Sequence, residues 1–468
     1  MSEIVAPMPA SASRGAWVRE FIESLSLAWP LVIAQLAQNA LQTTNVILVG
    51  WLGPSDLAAA TLASTFYTPF MLLGTGIVAA VSALVAQARG QRDIKAVRRV
   101  VRQGFWAALM ICAVLVPLIL QFENIYQHLG QDPATIAHGQ SYINILAFSL
   151  FPALGLMVLR SFLSASGITR PILLITLFGV LINGLIAYAL IFGNFGMPNM
   201  GIKGAGVASI AANLVMFSLM LTYVLRHRKL KRFNILVRFW KADWGHLKEI
   251  FRIGVPMGMT TLAEVGLFTA AAVLIGQFGT DAIAAHAVAL QCSSTAFMVP
   301  LGLGYAATVR VGLAYGRGDK EGIRRAGWAS FILGTGFMIF TCALFLIAGR
   351  QIASVFLDPT LASNAHAINL AVSFIAVSGL FQLVDGAQVT AAYSLRGLSD
   401  AKVPMWIAIF GYWFIGLPTS YLLGFTLGME GLGVWLGLAV GLAFVAVLLV
   451  MRFANRERLG LLKTLNPA

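Results

Sequence analysis

Two carboxylates stand where a carboxylate is costly. Glu264 lies in GVPMGMTTLAEVGLFTAAAVLIG and Asp385 in VSGLFQLVDGAQVTAAYSLRG, two long runs that are otherwise almost without charge. An ionisable side chain near the centre of a bilayer costs about 2.5 to 3.5 kcal/mol and marks function by default. The other sixteen of the 18 acidic residues fall in loops or at helix ends. Glu264 follows Pro256 by eight residues, about 12 Å along a helix axis. Asp385 precedes Arg396 by eleven, so both reach middle depth in the same half of the chain. Thr260, Thr261 and Phe268 neighbour the glutamate, while Ser378, Gln382 and Gln388 recur at helical spacing around the aspartate. No Lys or Arg of that half reaches the same depth to neutralise the pair. Burial disfavours the charged form of a carboxyl, and a second carboxylate nearby disfavours it further. Such a pair can exchange a proton for a cation.

A second polar feature is neutral. In QLAQNALQTTN, residues 35–45, the amides Gln35, Gln38, Gln42 and Asn45 follow at spacings of three, four and three, which is one helical face. A bilayer cannot solvate that stripe, so it should face a central cavity or hydrogen-bond another helix, with Asn183 as the candidate partner. Gly433, Gly437 and Gly441 form a small-residue stripe that lets helices approach closely. His286, alone in an apolar run, is read as a core residue with its polarity satisfied, and Pro30, Pro256 and Pro300 as bends or hinges.

The elements that must position these residues follow from composition. The chain has 468 residues, 59% hydrophobic and 11% charged, with mean hydropathy +0.83. Soluble domains carry about 25% charged residues, so this composition predicts an all-α polytopic membrane protein. A helix needs about 20 apolar residues to cross the hydrocarbon core. Twelve segments qualify: 26–50, 57–86, 101–121, 136–160, 171–193, 203–225, 252–276, 282–310, 327–349, 366–394, 403–425 and 431–452. With the N-terminus placed in the cytoplasm, 30 of the 32 Lys and Arg fall on the cytoplasmic side, leaving Lys203 and Arg350 outside. The basic excess is therefore a topology signal and not a nucleic-acid footprint. Both termini are expected in the cytoplasm, and the first span is expected to stay uncleaved. Cys112, Cys292 and Cys342 lie in apolar runs without paired spacing, so neither a disulfide nor a zinc site is expected.

The chain is also duplicated. ARGQRD at 88–93 returns as AYGRGD at 314–319, and the same shift of 226 pairs Pro30 with Pro256, Gly50 with Gly276, Gly53 with Gly279 and Arg98 with Arg324. Six spans is an even number, so the halves are parallel repeats about an axis along the membrane normal. The division expected is a cytoplasmic tail 1–24, an N-lobe 25–225, a basic cytoplasmic linker 226–251, a C-lobe 252–452 and a cytoplasmic tail 453–468. The linker reads as a solvated connector anchored to anionic headgroups. No GxxxxGK[ST] loop and no HExxH occurs, so neither ATP-driven work nor an enzyme is expected, and no cofactor.

With AWP opening the first repeat and GVP the second, PMGMTTLAEVGLF and FQLVDGAQVTAAYSLRGLSDAKVP resemble the multidrug and toxic compound extrusion (MATE) family of the NorM-like bacterial type, from about residue 25 to 455. That resemblance implies two six-helix bundles around a central cavity in the bacterial inner membrane. It implies a secondary antiporter exporting cationic, often aromatic, compounds in exchange for protons or sodium by alternating access. The family's coupling acids correspond to Glu264 and Asp385, which would also hold sodium if that is the ion. A helix-10 tyrosine that some members carry is Phe381 here, and the aspartate that the family's first helix usually carries is Asn45. Positions that bind substrate or line the cavity are expected at Gln35, Gln38, Gln42, Asn45, Asn183, Thr261, Phe268, Phe381, Gln382 and Gln388, the N-lobe amides either contacting substrate or only bonding helices together, giving a neutral N-lobe wall facing an acidic C-lobe. The partners expected are small cations and membrane lipids, with no nucleic acid and a monomeric chain. The rival reading is a flippase for lipid-linked precursors, whose anionic cargo calls for Lys or Arg in the cavity; Arg160, Arg310 and Arg396 all lie near cytoplasmic ends.

Overall fold

In the computed structural model of the chain, residues 10–128, 130–361 and 364–462 are described. Among them are twelve helices long and apolar enough to cross a membrane. They are α1 (Ala10–Gly50), α2 (Pro54–Gly90), α3 (Ile94–Ile119), α4 (Pro133–Ala165), α5 (Arg170–Phe192), α6 (Ile202–Arg226), α7 (Trp244–Gly276), α8 (Thr280–Gly316), α9 (Lys320–Phe356), α10 (Ala365–Gly397), α11 (Lys402–Thr426) and α12 (Glu430–Ala454). The number and order of the spans match the hydropathy reading. Several ends do not. Helix α1 starts sixteen residues before 26 and α7 eight residues before 252, because amphipathic turns carry the helices past the hydrocarbon core, and a scan for apolar runs cannot detect them.

The repeat has a local physical cause. The aspartates that end ARGQRD and AYGRGD cap the next helix: Asp93 accepts from the Lys95 and Ala96 amides at 2.8 and 2.9 Å, and Asp319 from the Gly322 amide at 2.7 Å. Gly53 and Gly279, also 226 apart, precede α2 and α8 at φ 134° and 104°, a region that L side chains rarely adopt.

Helices α1–α6 form one bundle and α7–α12 the other. They meet where α1 packs on α8 and α2 on α7. The closest approaches use glycine: a Cβ added to Gly76 of α2 would lie 2.5 Å from Gly258 Cα of α7, and one added to Gly90 would lie 2.8 Å from Gly316 Cα of α8. These contacts run from mid-helix to the side that carries the basic loops. There Arg310 of α8 grips Glu20 of α1 through two hydrogen bonds, 2.8 and 2.7 Å, and reaches Glu23 at 2.6 Å. The amide of Gln87 on α2 donates to the Gly397 carbonyl at 2.8 Å and the Ser399 hydroxyl at 2.9 Å, past the end of α10. On the opposite side, Gln42 and Thr43 of α1 and Gln291 and Thr295 of α8 are exposed. The lobes are thus closed on the basic side.

The connector between the lobes is more than a solvated strand. Helix α3 holds it by its carbonyls, with Arg102 donating to Arg238 O at 3.0 Å and the Trp106 indole to Phe239 O at 2.9 Å. Trp240 and Trp244 project from it at 79% and 70% exposure, as aromatic residues do at a membrane–water interface. The glycine stripe of α12 packs as expected: Gly433 faces the backbone of Leu423 and Gly424, Gly437 that of Ser420, and Gly441 that of Gly416, all on α11. Helix α11 itself opens into π-helical turns at Phe410–Gly416 and Leu422–Thr426.

Candidate functional site

Glu264 of α7 and Asp385 of α10 are brought together in the C-lobe. Phe268, one turn beyond the glutamate, meets Phe381, one turn before the aspartate, edge to face at 5.9 Å, and the two carboxyls lie within electrostatic range of each other. Asp385 is buried and Glu264 half-buried. Neither forms an ion pair among the described residues. Arg396 is within electrostatic range of Glu264, but its guanidinium rests on the Tyr393 ring, 4.0 Å from the centroid.

The polar shell around Asp385 is incomplete. Its Oδ1 is buried without a hydrogen-bond partner. Gln382, one turn before it, accepts from the Thr341 hydroxyl at 3.0 Å and leaves its NH2 unpartnered. Gln388, one turn after it, donates to the Tyr412 hydroxyl at 2.5 Å and leaves its carbonyl oxygen unpartnered. Buried polar groups are nearly always satisfied, so Asp385 Oδ1, the Gln382 NH2 and the Gln388 oxygen stand out as buried polar atoms without a partner among the described residues. Thr260 and Thr261 donate their hydroxyls back to their own helix, to Pro256 O at 2.8 Å and Met257 O at 3.2 Å.

Sequence reasoning missed Tyr412. It is fully buried and belongs to the first π-helical segment of α11. Such bulges recur at functional sites, and here the wider turn carries the phenol to Gln388. The sequence cue was indirect: a tyrosine among GYWFIG, beside glycines that a neighbouring helix approaches.

In the N-lobe the amide stripe divides in two. Its outer end is a hydrogen-bonded chain across three helices: Asn183 of α5 donates to Asn45 Oδ1 at 2.7 Å, Asn45 donates to the Ser209 hydroxyl of α6 at 3.2 Å, and Ser209 donates to Ala205 O at 3.0 Å. Asn183 is the partner expected for the stripe, and Asn45 is the amide that it meets. Its other end is not neutral. Gln38 and Gln35 accept from the guanidinium of Arg160 on α4, at 2.7 and 3.0 Å. Arg160 starts near the end of its helix, as its position in sequence implied, but its side chain runs inward along α1, a direction that linear position does not encode. Gln42 stays exposed. Replacing Asn45 by Leu strands the Asn183 amide and removes the bond that the Ser209 hydroxyl accepts, and the expected loss is about 1 to 2 kcal/mol. Thermal melting in detergent checks it; an unchanged midpoint together with unchanged transport would remove any role for the chain of amides.

His286 departs from its reading. It is buried on α8, and neither ring nitrogen has a hydrogen-bond partner among the described residues; the indole nitrogen of Trp435, whose ring lies 5.5 Å away, has none either.

The family model described as MatE matches residues 30–189 and 256–422, one block in each lobe. The chain is 44% identical over 447 residues to a protein of Brucella suis biovar 1 (strain 1330) described as "Probable multidrug resistance protein NorM", covering 95% of each chain. It is 43% identical over 452 residues to a protein of the same description from Agrobacterium fabrum (strain C58), covering 97% of each. Among solved structures it is similar to "Crystal structure of MATE in complex with MaL6", with TM-score 0.86, 19% identity and coverage of 95% of this chain and 97% of that one. It is likewise similar to "Outward-facing conformation of a multidrug resistance MATE family transporter of the MOP superfamily", with TM-score 0.84, 19% identity and coverage of 96% and 97%.

Proposed function

The chain belongs to the MatE family, and from that premise we propose that it is a multidrug efflux transporter of the bacterial inner membrane, exporting cationic aromatic compounds in exchange for protons. Its termini and the basic side then face the cytoplasm, and the closed lobes describe an outward-facing state. The observation that carries the reading is the pair of unpaired carboxyls, Glu264 and Asp385, one turn from the Phe268–Phe381 contact. Protonation from the outside releases a bound cation; deprotonation toward the cytoplasm restores the site. Each charge that moves with the membrane potential contributes about 2.3 kcal/mol per 100 mV.

The ion is proposed as the proton because Phe381 lacks the hydroxyl that some family members carry at this position and that is linked with cation binding, which weakens the case for sodium. Tyr412 brings a hydroxyl to the same neighbourhood from α11, through Gln388. A flippase reading is not favoured: the charges that line the C-lobe at middle depth are acidic, and the relatives are described as multidrug resistance proteins.

Everted membrane vesicles given a panel of cationic dyes, with proton and sodium gradients imposed separately, test the proposal. The expected result is uptake driven by the proton gradient with no response to sodium. Uptake driven by sodium alone would move the coupling to that ion, and no gradient-dependent uptake of any dye would end the exporter reading.

A further inference from the structure

Each of the two carboxyls has a polar residue one turn away on the basic side. Helix α7 starts at that side and α10 ends there, so Thr260 lies four residues from Glu264, and Gln388 three from Asp385, in the direction of the basic loops. Both residues line one cavity. Its other walls include Arg396 of α10, Pro404 of α11 and Leu449 of α12, and every lining residue belongs to the C-lobe. The cavity measures ≈ 10 Å³, about the least that holds one water. A water also needs about two to four polar partners. The lining residues carry three: the Thr260 hydroxyl, the Gln388 carbonyl oxygen, which is buried without a hydrogen-bond partner, and the Arg396 guanidinium.

Arg396 stands at the basic end of this cavity, eight residues past Gln388, or about 12 Å along α10. A fixed positive charge beside a narrow water path is a barrier to protons. The guanidinium is within electrostatic range of Glu264 on α7 and of the Tyr412 phenol on α11. It rests on the ring of Tyr393, which packs in turn on Tyr305 of α8 at 5.2 Å. No acidic side chain forms an ion pair with it among the described residues; Asp400, beyond the end of α10, is held by Arg452 of α12 at 2.6 Å. The cavity also meets the contact between the lobes at this point. Gln87 of α2 donates to the Gly397 carbonyl and the Ser399 hydroxyl, so the opposite lobe holds the turn next to Arg396 while the basic side is closed.

We propose that this cavity is part of a proton passage inside the C-lobe, leading from Glu264 and Asp385 to the basic side, and that Arg396 is the barrier that keeps it from conducting while the lobes are closed. The passage deepens the proton-coupled reading and rests on it. In the step it serves, a carboxyl O–H bond breaks, its electron pair stays on the carboxylate, and the proton passes to water and on to the cytoplasm. The barrier is needed because outward-facing lobes expose the same carboxyls to the outside. A conducting passage at that moment would let protons cross without cargo. When the lobes part on the basic side, Gln87 releases the turn and Arg396 leaves the path.

The test uses the full chain in phospholipid vesicles loaded with pyranine, with a potential set by potassium and valinomycin and no cargo present. Proton flux per reconstituted transporter should stay near that of protein-free vesicles in the wild type. Arg396→Gln should raise it about 10-fold, Arg396→Lys should remain near wild type, and Gln87→Leu should fall between. Adding Glu264→Gln and Asp385→Asn to Arg396→Gln should return the flux to the wild-type level, which vesicles made leaky by misfolded protein would not show. Binding of ethidium, read by fluorescence anisotropy, reports folding, and Gln87→Leu, which keeps the guanidinium, carries the test if Arg396→Gln does not bind. A wild-type flux in folded Arg396→Gln, or a leak that survives removal of both carboxyls, would overturn the passage. A wild-type flux in Gln87→Leu beside a leaking Arg396→Gln would overturn the link to lobe closure. If the wild type takes up no dye under any gradient while Arg396→Gln leaks through the carboxyls, the passage stands and the exporter reading falls; dye uptake with a silent, folded Arg396→Gln does the reverse.

Discussion

Replacing Glu264 by Gln, or Asp385 by Asn, is expected to abolish efflux of an ethidium-like dye, with accumulation rising to that of cells without the transporter. Each change keeps the size and much of the hydrogen bonding of the side chain and removes only the ability to hold and release a proton. At 100 mV one coupled charge is worth about 2.3 kcal/mol, or a roughly 50-fold concentration ratio, and that ratio is what the variants lose. The charge of Glu264 reaches Asp385, so the effects of the two changes should not add, and the double variant should be no worse than either single one. Tyr412→Phe leaves both carboxyls in place and removes one hydrogen bond to Gln388, an effect of about 0.5 to 1.5 kcal/mol. It should reduce efflux only a few-fold. Dye accumulation normalised to protein level by immunoblot measures all four variants, and unchanged efflux in both carboxyl variants would remove the coupling site from Glu264 and Asp385.

Arg310→Gln is expected to open the basic side. Arg310 holds Glu20 through two hydrogen bonds and Glu23 through a third contact, with Arg310 at 20% and Glu20 at 10% side-chain exposure. Exposed ion pairs contribute about 0 to 1 kcal/mol, whereas removing one partner of a buried pair costs about 3 to 5. For this half-sheltered cluster about 2 kcal/mol is reasonable, which shifts a two-state equilibrium roughly 30-fold. The clamp ties α1 to α8, so its loss falls on the contact between lobes and not on either bundle alone. Spin labels on the loops after α1 and α7, read by double electron–electron resonance, should show the outer ends moving closer as the population turns inward. The exchanged pair, Glu20→Arg with Arg310→Glu, should recover part of the original distribution. Distances unchanged in Arg310→Gln would show that glycine packing along α2 and α7 closes the lobes without the clamp.

Much of this protein is written locally. Twelve spans follow from hydropathy because every backbone polar group in a bilayer must be satisfied inside its own helix, so each span announces itself without reference to the others. The duplication is legible for the same reason: Asp93 and Asp319 cap the helices they precede, and Gly53 and Gly279 serve the turns at which they stand. Glu264 and Asp385 could be singled out because the cost of burying a charge depends on depth alone, and depth is counted along one helix. Even Asn183 as the partner of the amide stripe could be reached, since amides in apolar helices have few other partners available.

What tertiary structure decided is which side chain meets which across the lobes. Arg160 lies five residues from the end of α4, and counting along that helix places it near the membrane surface; only the approach of α1 turns its guanidinium onto Gln35 and Gln38. Tyr412 reaches Gln388 because α11 widens into a π-turn, a change of helical phase with no signature in hydropathy. His286 lies in a run whose composition suggests a satisfied core residue, yet neither of its nitrogens has a hydrogen-bond partner among the described residues, and its ring lies 5.5 Å from that of Trp435. Arg310 and Glu20 are 290 residues apart, and no periodicity of either helix carries information about the other. Sequence determines what a residue costs at its depth in the bilayer; the packing of helices distant in the chain determines what compensates that cost.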